Sequence, residues 1–470
     1  MVNSQVHGAR ARRAALVAAL VLGAAPAAAL AGPESASEMQ ELKQRISELE
    51  AQLSRVASDV QSNASTQTTL ESRIAELQTA AAKDHALDMY WDKGIRMDSA
   101  DKRFKFKFGG RIQNDWGFFD EDDDVRTAFG NVFQTGEEFR RARLYLAGTI
   151  YGNVGFKAQY DFEGGEANFK DVYISLKTGA GTFYVGNHYE PFGMEVQTSS
   201  KYTTFMERST VAQIAPDRHA GISFEPAALG DDWNLRFGVF RNSDAFGNDK
   251  GNAGSGEWAF TGRIAGSPWH DEESKQALHV GLSASMRSES EGTNSVGLPD
   301  ELARVRVRGA QHLGPRFVDT GTFAVDGATT LIGLEGAYVA GPFHVMAEYQ
   351  QNNYDTTGGD ADFDAIGVQA GWFLTGETRN YKSAEANFDR TKPAKDFGDE
   401  DGMGAWEIAV RWDTIDLNDG PIAGGEMDQV TVGLNWYLNP NTRVMWNYAN
   451  IDIKDIGKVD YFGMRFMVDF

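Results

Sequence analysis

Phe104–Phe118 reads FKFKFGGRIQNDWGF, and its two-residue period decides the fold. Phe104, Phe106, Phe108, Ile112, Trp116 and Phe118 share one face of an extended chain, while Lys105, Lys107, Arg111, Gln113 and Asp115 share the other. A strand with an aromatic face and a charged face belongs between hydrocarbon and water. The same alternation returns in Val154, Phe156, Ala158, Tyr160 and Phe162 against Lys157, Gln159, Asp161 and Glu163. It recurs in Trp406, Ile408, Val410 and Trp412 against Glu407, Arg411 and Asp413. Val430, Val432, Leu434 and Trp436 repeat it, as do Val444, Trp446 and Tyr448. The last strand sets Phe462, Met464, Phe466, Val468 and Phe470 against Arg465 and Asp469.

Soluble sandwiches alternate as well, but here strands of about ten residues carry aromatic residues at the ends of the apolar face and charges on the other. In lipid, only a helix or a closed sheet satisfies every backbone polar group. The reading is therefore an all-β transmembrane barrel over 104–470. Tight turns are expected at Tyr151–Asn153, Gly179–Gly181, Ala340–Pro342 and Leu438–Asn441. Long or polar connections are expected at Asp120–Glu138, Tyr189–Arg218, Asn242–Gly256, Ser288–Gly327 and Ile415–Glu426. The two sets alternate and give about 16 antiparallel strands if Ala303–Arg308 lies in a loop. One connection on the short-turn side, Thr375–Gly402, is long, and such segments are usually functional. Phe470 at the end of the last strand reads as the signal taken by the barrel-assembly machinery.

Outward from the barrel, Met39, Leu42, Ile46, Leu49, Leu53, Val56 and Val60 fall at the 3-4 spacing of a coiled-coil seam, continuing through Asn63, Gln67, Leu70, Ile74, Leu77 and Ala81. Residues 38–82 read as a periplasmic coiled coil and 83–103 as a linker. Arg10, Arg12 and Arg13 followed by the apolar run Ala14–Ala25 and Ala29-Leu30-Ala31 have the form of a signal peptide, 1–31, cut after Ala31. Net charge is -22, and loss of those three arginines leaves -22 - 3 = -25, which argues against nucleic acid as a partner. Cysteine is absent, so no disulfide or lipid attachment is expected. No histidine or carboxylate spacing suggests a metal, no cofactor is implied, and no local signature suggests an enzyme. The acidic run Asp120–Asp124 reads as a solvated loop, and Asp416–Gly420 as a turn.

Arg304, Arg306 and Arg308 alternate with Val305 and Val307, so an extended chain lines three permanent charges along one face, a row that can pass an anion along. Arg140, Arg141 and Arg143 could extend the track, although regular alternation keeps Arg140 and Arg141 from facing the same way.

EPFGMEVQTSSKYTTFMERS at 190–209 resembles the inward-folded third loop of the phosphate-selective porin O/P family. RVRVRG at 304–309 with GPRFVDTG at 314–321 resembles that family's arginine-bearing fifth loop. WFLTGETRNY at 372–381 and GAWEIAVRW at 404–412 resemble its long periplasmic turn and the next strand. The resemblance implies an outer-membrane homotrimer conducting small anions such as phosphate, in contact with lipid and lipopolysaccharide. It implies an arginine ladder of Arg304, Arg306 and Arg308, with Arg379 and Lys382 approaching the constriction and Arg141, Arg143 and Lys201 as further pore-lining candidates. Where phosphate-selective members carry lysine just before Glu-Pro, this chain has His188 and Tyr189, which weakens the field on a phosphate. A second reading makes the barrel an anchor that tethers the envelope through its coiled coil.

Overall fold

The computed structural model describes residues 33–84 and 87–470, except 131–132, 134, 242, 244, 248–257, 272, 289–301 and 357. The signal segment and its cut after Ala31 lie outside the described residues. Two compact units divide near Lys83.

The first unit is one helix, Pro33–Asp84. Pro33 opens it where a missing amide hydrogen costs nothing, and no glycine interrupts it. In its weakest stretch the hydroxyls of Ser65, Thr66, Thr68 and Thr69 donate back to carbonyls three or four residues earlier. The expected seam lies along one side, with Met39 to Leu77 between 48% and 69% exposed.

The second unit begins with a hairpin, β1 (Leu87–Trp91) and β2 (Ile95–Ser99). The stretch read as a linker thus carries structure. Its apolar positions match the wall in register, with Ile95 opposite Phe108 and Met97 opposite Phe106. The wall then runs β3 (Lys105–Glu121), β4 (Gly136–Ile150), β5 (Val154–Asp161), β6 (Asn168–Lys177), β7 (Gly181–Tyr189), β8 (Arg218–Pro226), β9 (Trp233–Arg241), β10 (Trp258–Asp271) and β11 (Gln276–Ser288). Three two-residue strands, β12 (Leu302–Ala303), β13 (Arg306–Val307) and β14 (Val318–Asp319), lie in the fifth loop. The wall resumes with β15 (Phe323–Ala340), β16 (Phe343–Thr356) and β17 (Gly359–Phe373). The long turn holds β18 (Tyr381–Lys382) and β19 (Asn387–Phe388), and the wall ends with β20 (Ala405–Asp419), β21 (Ile422–Asn439), β22 (Thr442–Ile453) and β23 (Gly457–Asp469). Each wall strand pairs antiparallel with the next, and β23 closes on β3 from Val459–Glu121 to Asp469–Arg111. The result is a closed barrel of 16 strands, with Ala303–Arg308 outside the wall.

The alternation resolves as read from the sequence. On β20, Trp406, Ile408, Val410 and Trp412 face outward and Glu407, Arg411 and Asp413 are buried inside. Trp406 stacks on Trp436 at 5.1 Å and on Trp446 at 6.3 Å, an aromatic girdle around the turn end.

Three sequence expectations are corrected. Ile415–Glu426 is not a long loop: β20 and β21 continue to a two-residue turn at Gly420-Pro421, so Asp416–Asp419 is strand. The acidic run ends β3 and starts a short helix, Asp123–Phe129. The inner face is also not polar throughout. At the loop end Phe363, Ile415, Leu417, Met427, Ile451, Ile453 and Val459 point inward as an apolar shelf, on which Val305, Val307, Phe317 and Val318 of the fifth loop are buried. Wall height differs too, because β5–β9 have 8 to 10 residues while β10, β11 and the later wall strands have 12 to 18.

The closing seam seats Phe470 beside Gly109-Gly110. The Gly110 amide donates to the Phe470 carbonyl at 2.7 Å, and a Cβ on Gly110 would lie 2.8 Å from the Phe470 ring. We expect Gly110→Val to push this ring out and block closure. Unheated protein should then lose the fast-migrating folded band on SDS gels, whereas Gly179→Ala, in open space, should keep it.

Candidate functional site

The third loop, residues 190–217, leaves β7 and folds into the lumen. Its base is Glu190, fully buried, whose carboxylate accepts two bonds from Arg287 (2.9 and 3.0 Å) and lies 2.6 Å from Nδ1 of His219 and within hydrogen-bond reach of the Thr261 hydroxyl. Pro191 and Gly193, at positive φ, then turn the chain so that the Met194 amide donates to Glu348 at 2.6 Å. Ser209 caps the short helix Thr210–Ile214, and the Thr210 amide donates to Asp413 at 2.7 Å.

Between these ends Tyr202–Glu207 has no regular structure, so its carbonyls need donors. Wall side chains supply them. Arg379 donates to the Tyr202 carbonyl, Arg443 to Thr203 (2.8 Å), Asn435 to Thr204 (2.8 Å), Arg465 to Met206 and Arg411 to Glu207 (2.8 Å). Arg411, Arg443 and Arg465 are therefore fully buried behind the loop and face no solute.

The loop leaves open the side of the barrel lined by β4–β8. There a cavity of about 330 Å³ is lined by Arg140, Arg141, Arg143, Lys170, Arg208, Arg218, Arg308 and Arg316, with Glu207 and Asp217 as the two carboxylates. Eight cations against two anions concentrate positive charge within a chain of net charge -22. Low-dielectric walls strengthen that field. Arg111 stands opposite Arg143 across the β3–β4 ladder and donates to Ser200 at 2.6 Å.

Arg140 and Arg141 both turn inward, contrary to regular alternation. The register jumps from Gln113–Arg141 to Asn114–Phe139, leaving Arg140 as the extra residue of a β-bulge. Both then reach Glu207, Arg140 through two bonds of 3.0 Å and Arg141 at 3.8 Å.

The fifth-loop row is partly as read. Val305 and Val307 are buried and the arginines face away from them, but Arg304 is exposed and held by Asp319 at 2.5 Å. Arg316, which the sequence reading missed, takes its place. The β13–β14 pairing folds it back, and its guanidinium donates to the Arg306 carbonyl at 2.9 Å. Arg306, Arg308 and Arg316 have no ion-pair partner among the described residues. Arg308 is fixed by a reciprocal amide clamp, its backbone donating to and accepting from Gln213 of the third loop at 3.0 Å each.

Other candidates lie elsewhere. Lys201 is buried against Asp469 at 3.2 Å, outside the basic cavity. Arg379 is buried under the third loop, and Lys382 is exposed and paired with Glu385. Arg379 lines a separate cavity of about 610 Å³ at the turn end, together with Arg390, Lys275 and Lys392. His188 faces Ser223 at 2.8 Å and meets the Phe240 ring edge-on. Tyr189 lies under the Arg218 guanidinium at 3.6 Å, so the phenol carries a cation on its face. No group of histidines and carboxylates suited to a metal occurs among the described residues.

A sheet closed in 16 strands, apolar outside and narrowed by an inward-folded loop beside a charged cavity, is the architecture of a porin. A sequence profile of the phosphate-selective porin O and P family matches residues 106–470, and the chain belongs to that family. An uncharacterized protein of Caulobacter vibrioides is 30% identical over 465 residues, covering 93% of this chain and 90% of that protein. Porin O of Pseudomonas aeruginosa is 28% identical over 401 residues, covering 76% of this chain and 85% of that protein. Among solved structures, an anion-selective porin from Comamonas acidovorans superposes with a TM-score of 0.47 at 14% identity, over 78% of this chain and all of that one.

Burial alone would raise the Glu190 carboxyl, but the His219 contact and the Arg287 charge outweigh it and hold the group at about 2. A depressed carboxyl contributes stability above its unfolded value and loses it as pH falls through the folded one. Single-channel conductance should therefore stay level from pH 8 to about pH 3.5 as far as this anchor decides it. Glu190→Ala leaves the half-buried Arg287 without its carboxylate partner and frees the base of the loop. The expected outcome is a loosened loop and a larger, noisier conductance in planar bilayers.

Proposed function

We propose that this chain is an outer-membrane channel with a preference for small anions, including phosphate, and that its basic cavity sets the preference. The observation that carries the reading is the eight-to-two excess of cations over carboxylates where the third loop narrows the lumen. Arg306, Arg308 and Arg316 draw the anion in at the loop end. Arg140, Arg141, Arg143 and Arg218 then continue the basic track, although Arg140 shares its charge with Glu207, Arg143 with Asp161 at 2.6 Å and Arg218 with Asp171 at 2.6 Å. Flow follows the concentration gradient, since a passive channel needs binding that is both reachable and escapable. With His188 and Tyr189 before Glu190, selection falls on anions as a class rather than on phosphate alone.

Asymmetric-salt recordings test this directly. Reversal potentials should report chloride over potassium, and millimolar phosphate should reduce the chloride current. Arg308→Ala combined with Arg316→Ala should weaken the phosphate block several-fold. Cation preference in the unmodified protein would end the proposal.

The helix Pro33–Asp84 supports a second element of the reading. An exposed heptad stripe on a helix is stable when copies bury it against one another. We assign residues 38–82 to a parallel coiled coil in the periplasm that steadies a homotrimer. Deleting residues 38–82 should lower the yield of trimer on mild-detergent gels. If trimers persisted while cells became sensitive to detergent and bile salts, the envelope-tethering role would replace the assembly role.

A further inference from the structure

Glu207 stands among cations in a way that its backbone role does not require. Its carbonyl already fastens the loop through Arg411. Its carboxylate additionally takes both donors of the Arg140 fork at 3.0 Å each, one Arg465 donor at 2.7 Å, and approaches Arg141 at 3.8 Å. Burial opposes its charge, but the neighbouring Arg140, Arg141 and Arg465 outweigh it and hold the group well below the ordinary carboxylate range. The other acid of the cavity differs. Asp217 is largely exposed at the rim and meets Arg218 at 3.5 Å.

Two oxygens in the fork of one arginine, with a second guanidinium behind, is the geometry in which a free phosphate or carboxylate is bound. We infer that Glu207 is an internal competitor of the permeating anion: it occupies the forked site of Arg140 with Arg141 beside it, both lining the cavity, and thereby limits how long a solute anion stays. The bulge at Arg140 fits this role, since without it Arg140 would face outward and the fork would not form. The inference rests on the channel reading above and names the residue that sets the dwell time within it.

An anion channel built only of free guanidiniums would bind a phosphate too well to release it. One carboxylate fixed in the strongest site keeps the others partly satisfied, so an arriving anion finds donors it can use and leave. Removing the carboxylate should convert the site from a passage into a trap.

The test is phosphate block of chloride current in planar bilayers, using the full-length protein. Glu207→Gln should lower the phosphate concentration for half-block about tenfold or more and lengthen individual phosphate block events. Anion preference in the reversal potential should rise. Glu207→Asp retains the charge but, one methylene shorter, does not reach as far into the Arg140 fork from the same backbone position. It should shift half-block in the same direction by a smaller factor, about two- to fivefold, and remains informative if the glutamine variant does not assemble. A simple loop brace predicts the opposite sign, with weaker block and lower selectivity in both variants. That result, or an unchanged half-block in both, would overturn the inference. If the unmodified channel were cation-selective, the channel reading itself would fall first, so the two failures are distinguishable.

Discussion

Closure of the sheet in hydrocarbon is the constraint from which the rest follows. Each wall strand pairs on both sides with a neighbouring strand, and the seam between β23 and β3 closes the ring. The outer face is then committed to lipid by alternation, and all polar chemistry is driven to the inside. An interior crowded with arginine and carboxylate side chains cannot stay unpaired at low dielectric. The inward loops resolve this, and in doing so they narrow the pore. The third loop brings unpaired carbonyls to the wall, and the wall brings guanidinium hydrogens that its own carboxylates, Asp115 beside Arg465 and Asp413 beside Arg411, leave over. Neither partner is satisfied alone, which is why an irregular segment such as Tyr202–Glu207 holds one conformation.

The same accounting separates two populations of arginine that look alike in the sequence. Arg411, Arg443 and Arg465 sit on the alternating inward positions of β20, β22 and β23, yet their donors are taken up by loop carbonyls and, for Arg411 and Arg465, by the wall carboxylates Asp413 and Asp115. Arg143, Arg218, Arg308 and Arg316 reach the cavity, and the last two carry no carboxylate partner among the described residues. Net charge therefore predicts little about a channel. The sign that a solute meets depends on which few side chains remain uncovered.

Period two made the barrel, its strand number, its tight turns and its outward aromatic residues legible in the sequence. The long turn after β17 was visible from its length alone. The misreadings share a cause, in that each depends on contacts between distant parts of the chain. A bulge at Arg140 is decided by pairing with β3, not by local pattern. Arg316 joins the basic cluster only because β13 folds onto β14, and Arg304 leaves it because Asp319 arrives by the same fold. Lys201 lies in a motif that pointed to the pore, but Asp469, in the last strand, claims it. The apolar shelf at the loop end was hidden because inward Ile415, Ile451 and Val459 carry no local mark that separates them from lipid-facing residues. β1 and β2 escaped notice since each has only five residues.

The unequal height of the wall divides the cylinder into two sectors. The tall strands from β10 onward carry most mounts of the third loop, and β4, β6, β7 and β8 bring side chains to the open passage. Apart from the arginines of the fifth loop, scaffold and selector thus occupy different arcs of one sheet. Such a layout allows the chemistry offered to a solute to be rewritten on one arc while the machinery that shapes the aperture is left intact on the other, so related chains can diverge in what they admit without relearning how to fold.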